Sequence, residues 1–351
     1  MTTPPSAFFL VGAATAYFTL SAIQIFTTKK RNRLQTVLGW IFIVWAVLNL
    51  KDIIISLPEF NNKETVKYIL LIDGWSIITY FIFLYELTIP KWTTWRKILI
   101  MCLPFIVIST IYVIWPNFMV MNVYVIFLWL CAVSFFVIGF VKYKHYIRYI
   151  HENYSNIDEI DISWLRYMFV FAFLEQSLYF VIAYRYNFVI DLLYYGSAIG
   201  MWFIAHTYTM TLKPVVIMEP APISLQKEIE AKGYHFAGNI EKMVENQELY
   251  LNKDLTLSDL AKSIGTNRTY LSDYFCNNKH TTFYDYINQL RIEQMAIPLI
   301  QQHPEYTLEY IAAESGFKSV STFRRAFIKI TDKSPSQYRS ELDTRQQSDK
   351  K

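Results

Sequence analysis

The sequence is poor in charged residues and in cysteine. Asp, Glu, Lys and Arg make up 18% of its 351 residues, whereas a soluble domain usually carries about a quarter. Its three cysteines, Cys102, Cys131 and Cys276, are odd in number and widely scattered, which argues against a disulfide framework or a cysteine-based metal site. We expect buried, reduced thiols in a protein that lies partly in a membrane.

The motifs of enzymes are also missing. The sequence has no Gly-rich phosphate loop, no nucleophile motif and no cluster of His, Cys and Asp at metal-binding spacing. We therefore expect neither catalysis nor a cofactor. A transporter with an appended regulatory tail is the alternative, because Glu86, Glu175 and His206 fall in apolar segments and could relay protons. No internal repeat of the kind found in many transporters supports it.

Long apolar runs fill the first 212 residues. Each is long enough to cross a bilayer as a helix, which needs about 20 residues, and a helix satisfies its own backbone hydrogen bonds there. The sequence predicts an all-α fold whose first domain, residues 7–212, is a bundle of seven transmembrane helices. The predicted spans are 7–27, 34–57, 66–89, 98–115, 122–141, 164–186 and 189–212.

The basic residues predict how these spans are oriented. Lys and Arg favour cytoplasmic loops, and they cluster on alternate loops of the seven-span arrangement. This predicts an external N-terminus and a cytoplasmic C-terminus in the inner membrane of a bacterial cell. The cytoplasmic loops are marked by Lys29, Lys30, Arg31, Arg33, Lys91, Arg96, Lys97, Lys142, Lys144 and Arg148.

Several charged residues fall inside the predicted spans, where a charge is costly and often functional. One interpretation is a polar pocket that binds a small-molecule signal. The other is a set of ion pairs between helices, or long side chains that extend toward the membrane surface and keep their charged ends in water. The sequence leaves both open. The candidate pocket residues are Lys51, Asp52, Asp73, Glu175 and Asp191.

The chain changes character after the last apolar run. Residues 213–235 contain three prolines and predict a linker, with a short amphipathic helix at 225–232. Residues 236–339 predict a soluble domain, and residues 340–351 a disordered tail. From Tyr234 onward basic and acidic residues are equal in number, at 15 each, so bulk charge alone gives no argument for nucleic acid.

Two copies of one local pattern occupy the soluble domain. In the first, Ser258 is predicted to cap a helix that ends at Gly265, and Asn267 to cap the helix 268–277. A helix, a tight turn and a second helix form a helix-turn-helix unit. By helical period, the outward face of the second helix carries Thr269, Ser272, Asp273 and Cys276.

The second copy follows a long helix predicted at 282–302. Thr307 is predicted to cap the next helix, Gly316 to turn the chain, and Ser319 to cap the helix 320–330. The outward face of that helix carries Ser321, Arg324, Arg325 and Ile328.

This second copy is locally basic, since Asp332 is the single acid between residues 318 and 339. Phosphate affinity depends on such local charge, and arginine is the usual bidentate reader of guanine. The basic residues are Lys318, Arg324, Arg325, Lys329, Lys333 and Arg339.

A signature of particular residues runs through both copies. In the second copy it comprises Gly316, Phe317, Ser321, Phe323, Arg325, Phe327, Lys329 and residues 334–339. In the first copy and the long helix it comprises Leu260, Ala261, Gly265, Tyr270, Leu271, Ser272, Phe275, Phe283, Tyr286, Ile287, Arg291 and Ile292. This double signature resembles the AraC/XylS family of bacterial transcription regulators, over about residues 239–339.

The resemblance implies that the outward residues of both second helices read two successive major grooves of double-stranded DNA. By position, that role falls to Thr269, Ser272, Asp273, Ser321, Arg324 and Arg325, with Lys318 and Lys329 beside them. The sequence departs from the family at Asp273, commonly polar or basic, and at Asp332, usually Gly. Pro298 lies inside the long helix and should kink it or end it early.

Together the two halves predict a membrane-bound one-component regulator, in which seven spans replace the soluble sensor of most family members. A ligand or a membrane state would change helix packing, and the change would pass through the linker to the DNA-binding domain. We expect a homodimer. Alternatively, the spans bind a membrane partner protein instead of a small molecule.

Overall fold

The computed structural model describes residues 5–55, 63–184, 188–213, 215, 217 and 237–348. Within these ranges the regular elements are helices, as predicted, and no strand is formed; an isolated antiparallel bridge pairs Tyr154 with Thr256. The chain divides into two compact units, Met1–Tyr146 with Ile162–Ile217, and Ile147–Asp161 with Met218–Lys351. The second unit thus includes a short segment from the middle of the chain.

The first unit consists of long apolar helices. The predicted third span is broken at Gly74, where a Cβ atom would lie 2.4 Å from the hydroxyl oxygen of Tyr124, so close packing requires glycine there. The helices are α1 (Pro5–Thr27), α2 (Arg33–Ile55), α3 (Lys63–Asp73), α4 (Ser76–Thr88), α5 (Trp95–Ile114), α6 (Phe118–Asn153), α7 (Leu165–Tyr184) and α8 (Phe188–Thr211).

Six stretches of the described residues are long and apolar enough to cross a membrane, whereas the sequence predicted seven. Helices α3 and α4 count together as one of them, Lys67–Thr88. Helix α8 has the length, with 24 residues, but it is not one of the six. Over the described residues the count is therefore six, one fewer than predicted.

The surface of the first unit is apolar. Ile100 is 70% exposed, Ile114 79% and Phe118 77%, and further large apolar side chains are exposed along α5 and α6. A monomer in water rarely exposes so much contiguous apolar surface. The interior is aromatic, with Trp45 and Trp202 both buried. An apolar surface around a packed aromatic interior is what lipid-facing helices require.

The second unit contains two hydrophobic clusters, one around Leu271 and Phe275 and the other around Phe323 and Phe327. Its helical elements are α9 (Ala237–Asn246), a 3-10 turn (Leu249–Leu251), α10 (Leu257–Ile264), α11 (Arg268–Asp273), a π-helical turn (Tyr274–Asn278), α12 (Phe283–Leu290), a second π-helical turn (Arg291–Ala296), α13 (Ile297–Gln302), α14 (Leu308–Glu314), α15 (Val320–Thr331) and α16 (Pro335–Ser348).

The predicted long helix is continuous from α12 to α13 and does not end early at Pro298. The π-helical turn Arg291–Ala296 comes first, and Pro298 then lies in the first turn of α13. Across this turn the Ile297 N–H donates to the Ile292 carbonyl, five residues back, and the widened turn accommodates a proline that has no N–H of its own. The helix therefore reaches Gln302 and joins the two clusters.

The prediction of a disordered tail at 340–351 is wrong as far as Ser348, because α16 extends to that residue. Pro335 begins the helix, a position that proline favours, and Tyr338 and Leu342 pack against the second cluster. The short helix predicted at 225–232 lies outside the described residues.

Candidate nucleic-acid interface

Local signals position the first helix-turn-helix unit, α10 and α11. The Thr256 hydroxyl accepts from the Asp259 N–H at 3.2 Å, and the Asp259 carboxylate accepts from the Thr256 N–H at 3.3 Å. This capping box replaces the predicted cap Ser258, which lies inside the helix. Gly265 ends α10 with φ 75°, and Asn267 caps α11 by accepting a backbone N–H at 2.9 Å, both as predicted.

The second unit, α14 and α15, repeats these devices. Thr307 caps α14 and Ser319 caps α15, each accepting a backbone N–H at 3.2 Å. Gly316 turns the chain with φ 83°, and a Cβ atom there would lie 2.8 Å from the carbonyl oxygen of Leu251. Asp332 adopts φ 57° after α15, so an aspartate holds the left-handed turn as expected.

The outward face of α11 is only partly accessible. Thr269, Ser272 and Asp273 are half-buried, and the Asp273 carboxylate accepts from the side-chain amide of Asn277 at 2.7 Å. Cys276 is exposed, so the expectation of a buried thiol is wrong there. The reason is its place on this same outward face, one turn beyond Ser272.

The outward face of α15 is exposed and basic. Its exposed polar residues are the predicted Ser321, Arg324 and Arg325. The Lys329 ammonium, also exposed, donates to the Asp285 carboxylate at 2.7 Å. Directly before α15, Lys318 pairs with Asp254. The second helix-turn-helix unit therefore carries guanidinium and ammonium groups, which are the donors that commonly bind phosphates and base edges.

A buried arginine lies on the helix between the two units. Arg291 has no exposed surface; its Nε donates to the Tyr250 carbonyl at 2.6 Å, and its two Nη atoms donate to the carbonyls of Ser155 at 2.8 Å and Asn252 at 2.9 Å. Burial lowers the pKa of Arg291 to about 10, so it stays charged at neutral pH. Its role is structural, because carbonyl acceptors surround it.

Ser155 belongs to the segment Ile147–Asp161, called here the docked segment. Asn153 accepts from the Arg268 guanidinium at 2.6 Å, and Asp158 accepts from the hydroxyl of Thr322. The sequence patterns assigned no role to this segment or to Arg268. One available signal was its four acids, Glu152, Asp158, Glu159 and Asp161, in a loop expected to favour positive charge.

Three of the candidate pocket residues, which belong to the compact unit formed by α1 to α8, come together. The Lys51 ammonium pairs with Asp52 and lies 2.7 Å from the Asp73 carboxylate. The Tyr195 hydroxyl donates to Asp52 at 2.8 Å. This arrangement corresponds to the ion-pair interpretation that the sequence left open beside the pocket.

The other two candidate pocket residues do not join this group among the described contacts. Glu175 is fully buried, and neither of its carboxylate oxygens has a hydrogen-bond partner among the described residues. The side chain of Asp191 lies outside the described residues. A cavity of about 470 Å³ in this unit is lined by mostly apolar side chains of α2 to α5 and by none of the five.

Within the described ranges, no group of three or more His, Cys, Asp or Glu side chains could hold a metal ion.

Comparison with known proteins finds similarity in the C-terminal part of the chain. Residues 260–341 match the family model described as a helix-turn-helix domain. The chain is 30% identical over 102 residues to uncharacterized HTH-type transcriptional regulators of Staphylococcus aureus strains COL and MRSA252. It is 25% identical over 126 residues to the Msm operon regulatory protein of Streptococcus mutans serotype c. No solved structure matches the chain.

These matches cover limited parts of the sequences compared. The similarity spans 29% of this chain and 13% of the staphylococcal relatives, and 36% of this chain and 44% of the streptococcal one. The similarity is thus confined to the C-terminal part of the chain, where residues 260–341 match a helix-turn-helix domain. The relatives' names describe transcription regulators and not enzymes.

Proposed function

We propose that this protein is a membrane-bound one-component transcription regulator. Its C-terminal domain binds double-stranded DNA in a sequence-specific way, and its membrane domain alters that binding in response to a signal. One observation carries this proposal: two helix-turn-helix units, joined by one helix and ending in the exposed basic face of α15, occur in a chain with six membrane-length helices.

The two recognition helices have different tasks in this proposal. On α15, Arg324 and Arg325 read base edges, since arginine pairs with guanine through two donors, while Lys318 and Lys329 approach phosphates. On α11, the hydroxyls of Thr269 and Ser272 contact bases or phosphates, and Asp273 accepts from the amino group of cytosine. The second helix-turn-helix unit therefore provides most of the affinity for DNA.

The docked segment supports a cytoplasmic C-terminal domain. It forms one compact unit with that domain, so both lie on the same side of the membrane and an even number of crossings separates them. Because α7 is membrane-length, this arrangement requires a return crossing after it, for which α8 has the length, with 24 residues. Its buried Ser197 and Thr209 then face the bundle interior. The basic loops favour the cytoplasm for that side.

The signal acts on the ion-paired group of Lys51, Asp52 and Asp73, because charges inside a membrane are costly and are often retained for function. If so, Asp73→Asn changes the expression of target genes in cells while the purified variant keeps wild-type affinity for DNA. Equal expression with and without the substitution would assign these charges to helix packing alone.

Genome-wide recovery of DNA bound to the full-length protein in intact cells tests the function. We expect discrete peaks that share a sequence motif, with two copies of the chain bound as a homodimer at paired half-sites. The double variant Arg324→Ala/Arg325→Ala is the control and should lose these peaks while its amount in the membrane fraction stays the same. Identical recovery from the wild type and the control contradicts the proposal.

A further inference from the structure

The docked segment is anchored to the C-terminal domain by backbone and buried polar contacts. The Ser155 N–H donates to the Leu255 carbonyl at 3.2 Å, and its hydroxyl donates to the same oxygen at 2.7 Å. The Arg291 guanidinium donates to the Ser155 carbonyl at 2.8 Å and to its hydroxyl oxygen at 3.1 Å. A buried guanidinium needs these acceptors, because it has lost its water. The contact is therefore specific.

Beyond this anchor, two acidic side chains of the segment lie against the basic second helix-turn-helix unit, α14 and α15. Asp158 accepts from the hydroxyl of Thr322, and its carboxylate lies 3.9 Å from a terminal guanidinium nitrogen of Arg325. The Glu159 carboxylate lies 3.8 Å from the Lys318 ammonium. Thr322 is only 1% exposed although it lies on the recognition helix α15. The segment thus places carboxylates beside groups proposed to meet DNA.

The same segment also contacts the first recognition helix. Arg268, at the first position of α11, donates to Asn153 at 2.6 Å, and the Cys276 thiol lies 3.9 Å from the Glu152 carboxylate. One continuous stretch of chain therefore touches both recognition helices. It places carboxylates beside α15 and beside the turn that follows α11, where a DNA backbone would also bring negative charge.

We propose that the docked segment and DNA compete for one face of the C-terminal domain, so that the segment represses DNA binding until it is displaced. This proposal rests on the DNA-binding function proposed above. The segment continues from α6 and leads into α7, so a shift of either helix strains its contacts. It is thus a covalent route from the membrane helices to the domain, in addition to the linker 213–235.

Neutralising the two acids is the first test. Full-length Asp158→Asn/Glu159→Gln in lipid nanodiscs should bind a duplex pool, with a randomised stretch of about two helical turns, more tightly than the wild type. The expected gain is about tenfold, because apparent affinity rises in proportion to the undocked fraction. Glu245→Gln/Glu314→Gln is the charge-matched control. Both acids are exposed in the same compact unit as the segment, and no described contact joins them to a lysine or arginine side chain. An equal gain in the control, or no gain in either, overturns the proposal.

A reversible lock is the second test. Tyr154 and Thr256 form an antiparallel bridge flanked by the bond between Ser155 and Leu255, which makes them a non-hydrogen-bonded pair. The Cα atoms of such pairs are about 4.5 Å apart, within the range of a disulfide. Tyr154→Cys/Thr256→Cys, in a Cys276→Ser background, can therefore fix the segment in its docked position.

The oxidised protein should lose at least tenfold in affinity for the same duplex pool, and reduction should restore it. The single variant Tyr154→Cys in the same background is the control and should not respond to oxidation. Equal binding by the oxidised and reduced forms overturns competition while leaving the proposed function intact. No binding by the reduced form, the wild type and the acid-neutralised variant would overturn both.

Discussion

The two helix-turn-helix units are built alike but present different surfaces. Each has a side-chain cap at the start of both helices and a glycine with positive φ in the turn, Gly265 in the first unit and Gly316 in the second. Each also has its own hydrophobic cluster. The outward face is half-buried with an acid, Asp273, in the first unit, and exposed with Arg324 and Arg325 in the second.

Under the proposed function, packing and DNA recognition are specified by separate residues. The inward residues and caps recur because the same backbone has to be built twice, whereas the outward residues are free to diverge. Affinity for DNA should therefore be unequal between units that fold by the same rules.

The largest expected difference concerns the turn glycines. Gly265→Ala forces alanine into φ 75° but meets no atom within 4 Å, so we expect a loss of about 1–2 kcal/mol in unfolding free energy. Gly316→Ala adds a contact at 2.8 Å with the backbone of Leu251, which raises the loss to about 3 kcal/mol or more. Urea midpoints from pulse proteolysis of the full chain in detergent measure both. Equal losses would mean that the Leu251 backbone yields to the added methyl group.

Substitutions on the two outward faces should be the next most unequal. Arg324→Ala should weaken DNA binding by about 1–3 kcal/mol and relax the preference for the base that it reads, as measured by titration of the duplex pool and sequencing of the bound duplexes. Ser272→Ala should cost less than about 1 kcal/mol, since a neutral hydrogen bond contributes less. Arg324→Lys is the matched control: it keeps the charge but loses the two-donor geometry, so it should also relax this base preference. A larger loss for Ser272→Ala would mean that the first helix-turn-helix unit, and not the second, provides most of the affinity for DNA.

The caps should be equivalent in the two units. Asn267→Ala and Ser319→Ala each remove one acceptor from the start of a recognition helix and should each cost about 1 kcal/mol of stability. The glycine variants at both positions should cost only a few tenths of a kcal/mol. The same proteolysis assay applies, and a cap effect confined to one unit would break the structural equivalence.

The smallest expected effect is at Asp273. Asp273→Asn removes an anion from the outward face of α11 and should strengthen binding to the duplex pool by about 0.5 kcal/mol, a gain that fades at high salt. Selection of the bound sequences tests the proposed contact with cytosine. Preference for one cytosine should disappear in the variant; if it persists, Asp273 only repels phosphate.

Local features of the C-terminal domain could be predicted from the sequence. The caps Asn267, Thr307 and Ser319 and the turn glycines depend on neighbours within a few residues, so their patterns are visible in the chain. The cap predicted at Ser258 was wrong because Thr256 forms a reciprocal pair with Asp259. The length of the helix through Pro298 depended on the π-helical turn before it, which no spacing rule reveals.

Long-range contacts could not be predicted in this way. Ser155 and Arg291 are 136 positions apart, and neither belongs to a motif that points to the other. The pairing of Lys51 with Asp73 likewise depends on how the helices pack. Residue types alone allowed both a pocket and ion pairs. The candidate DNA contacts follow from the sequence pattern and stay a prediction, whereas the segment that contacts the same helices could not be predicted.

Flotation of proteoliposomes tests most directly that one chain both lies in the membrane and binds DNA. Vesicles that contain the full-length protein are mixed with the duplex pool and floated through a density gradient. We predict that DNA floats with the wild type, floats in greater amount with Asp158→Asn/Glu159→Gln, and stays at the bottom with Arg324→Ala/Arg325→Ala. DNA that stays at the bottom with all three proteins, although the proteins float, would contradict a membrane-bound DNA-binding regulator.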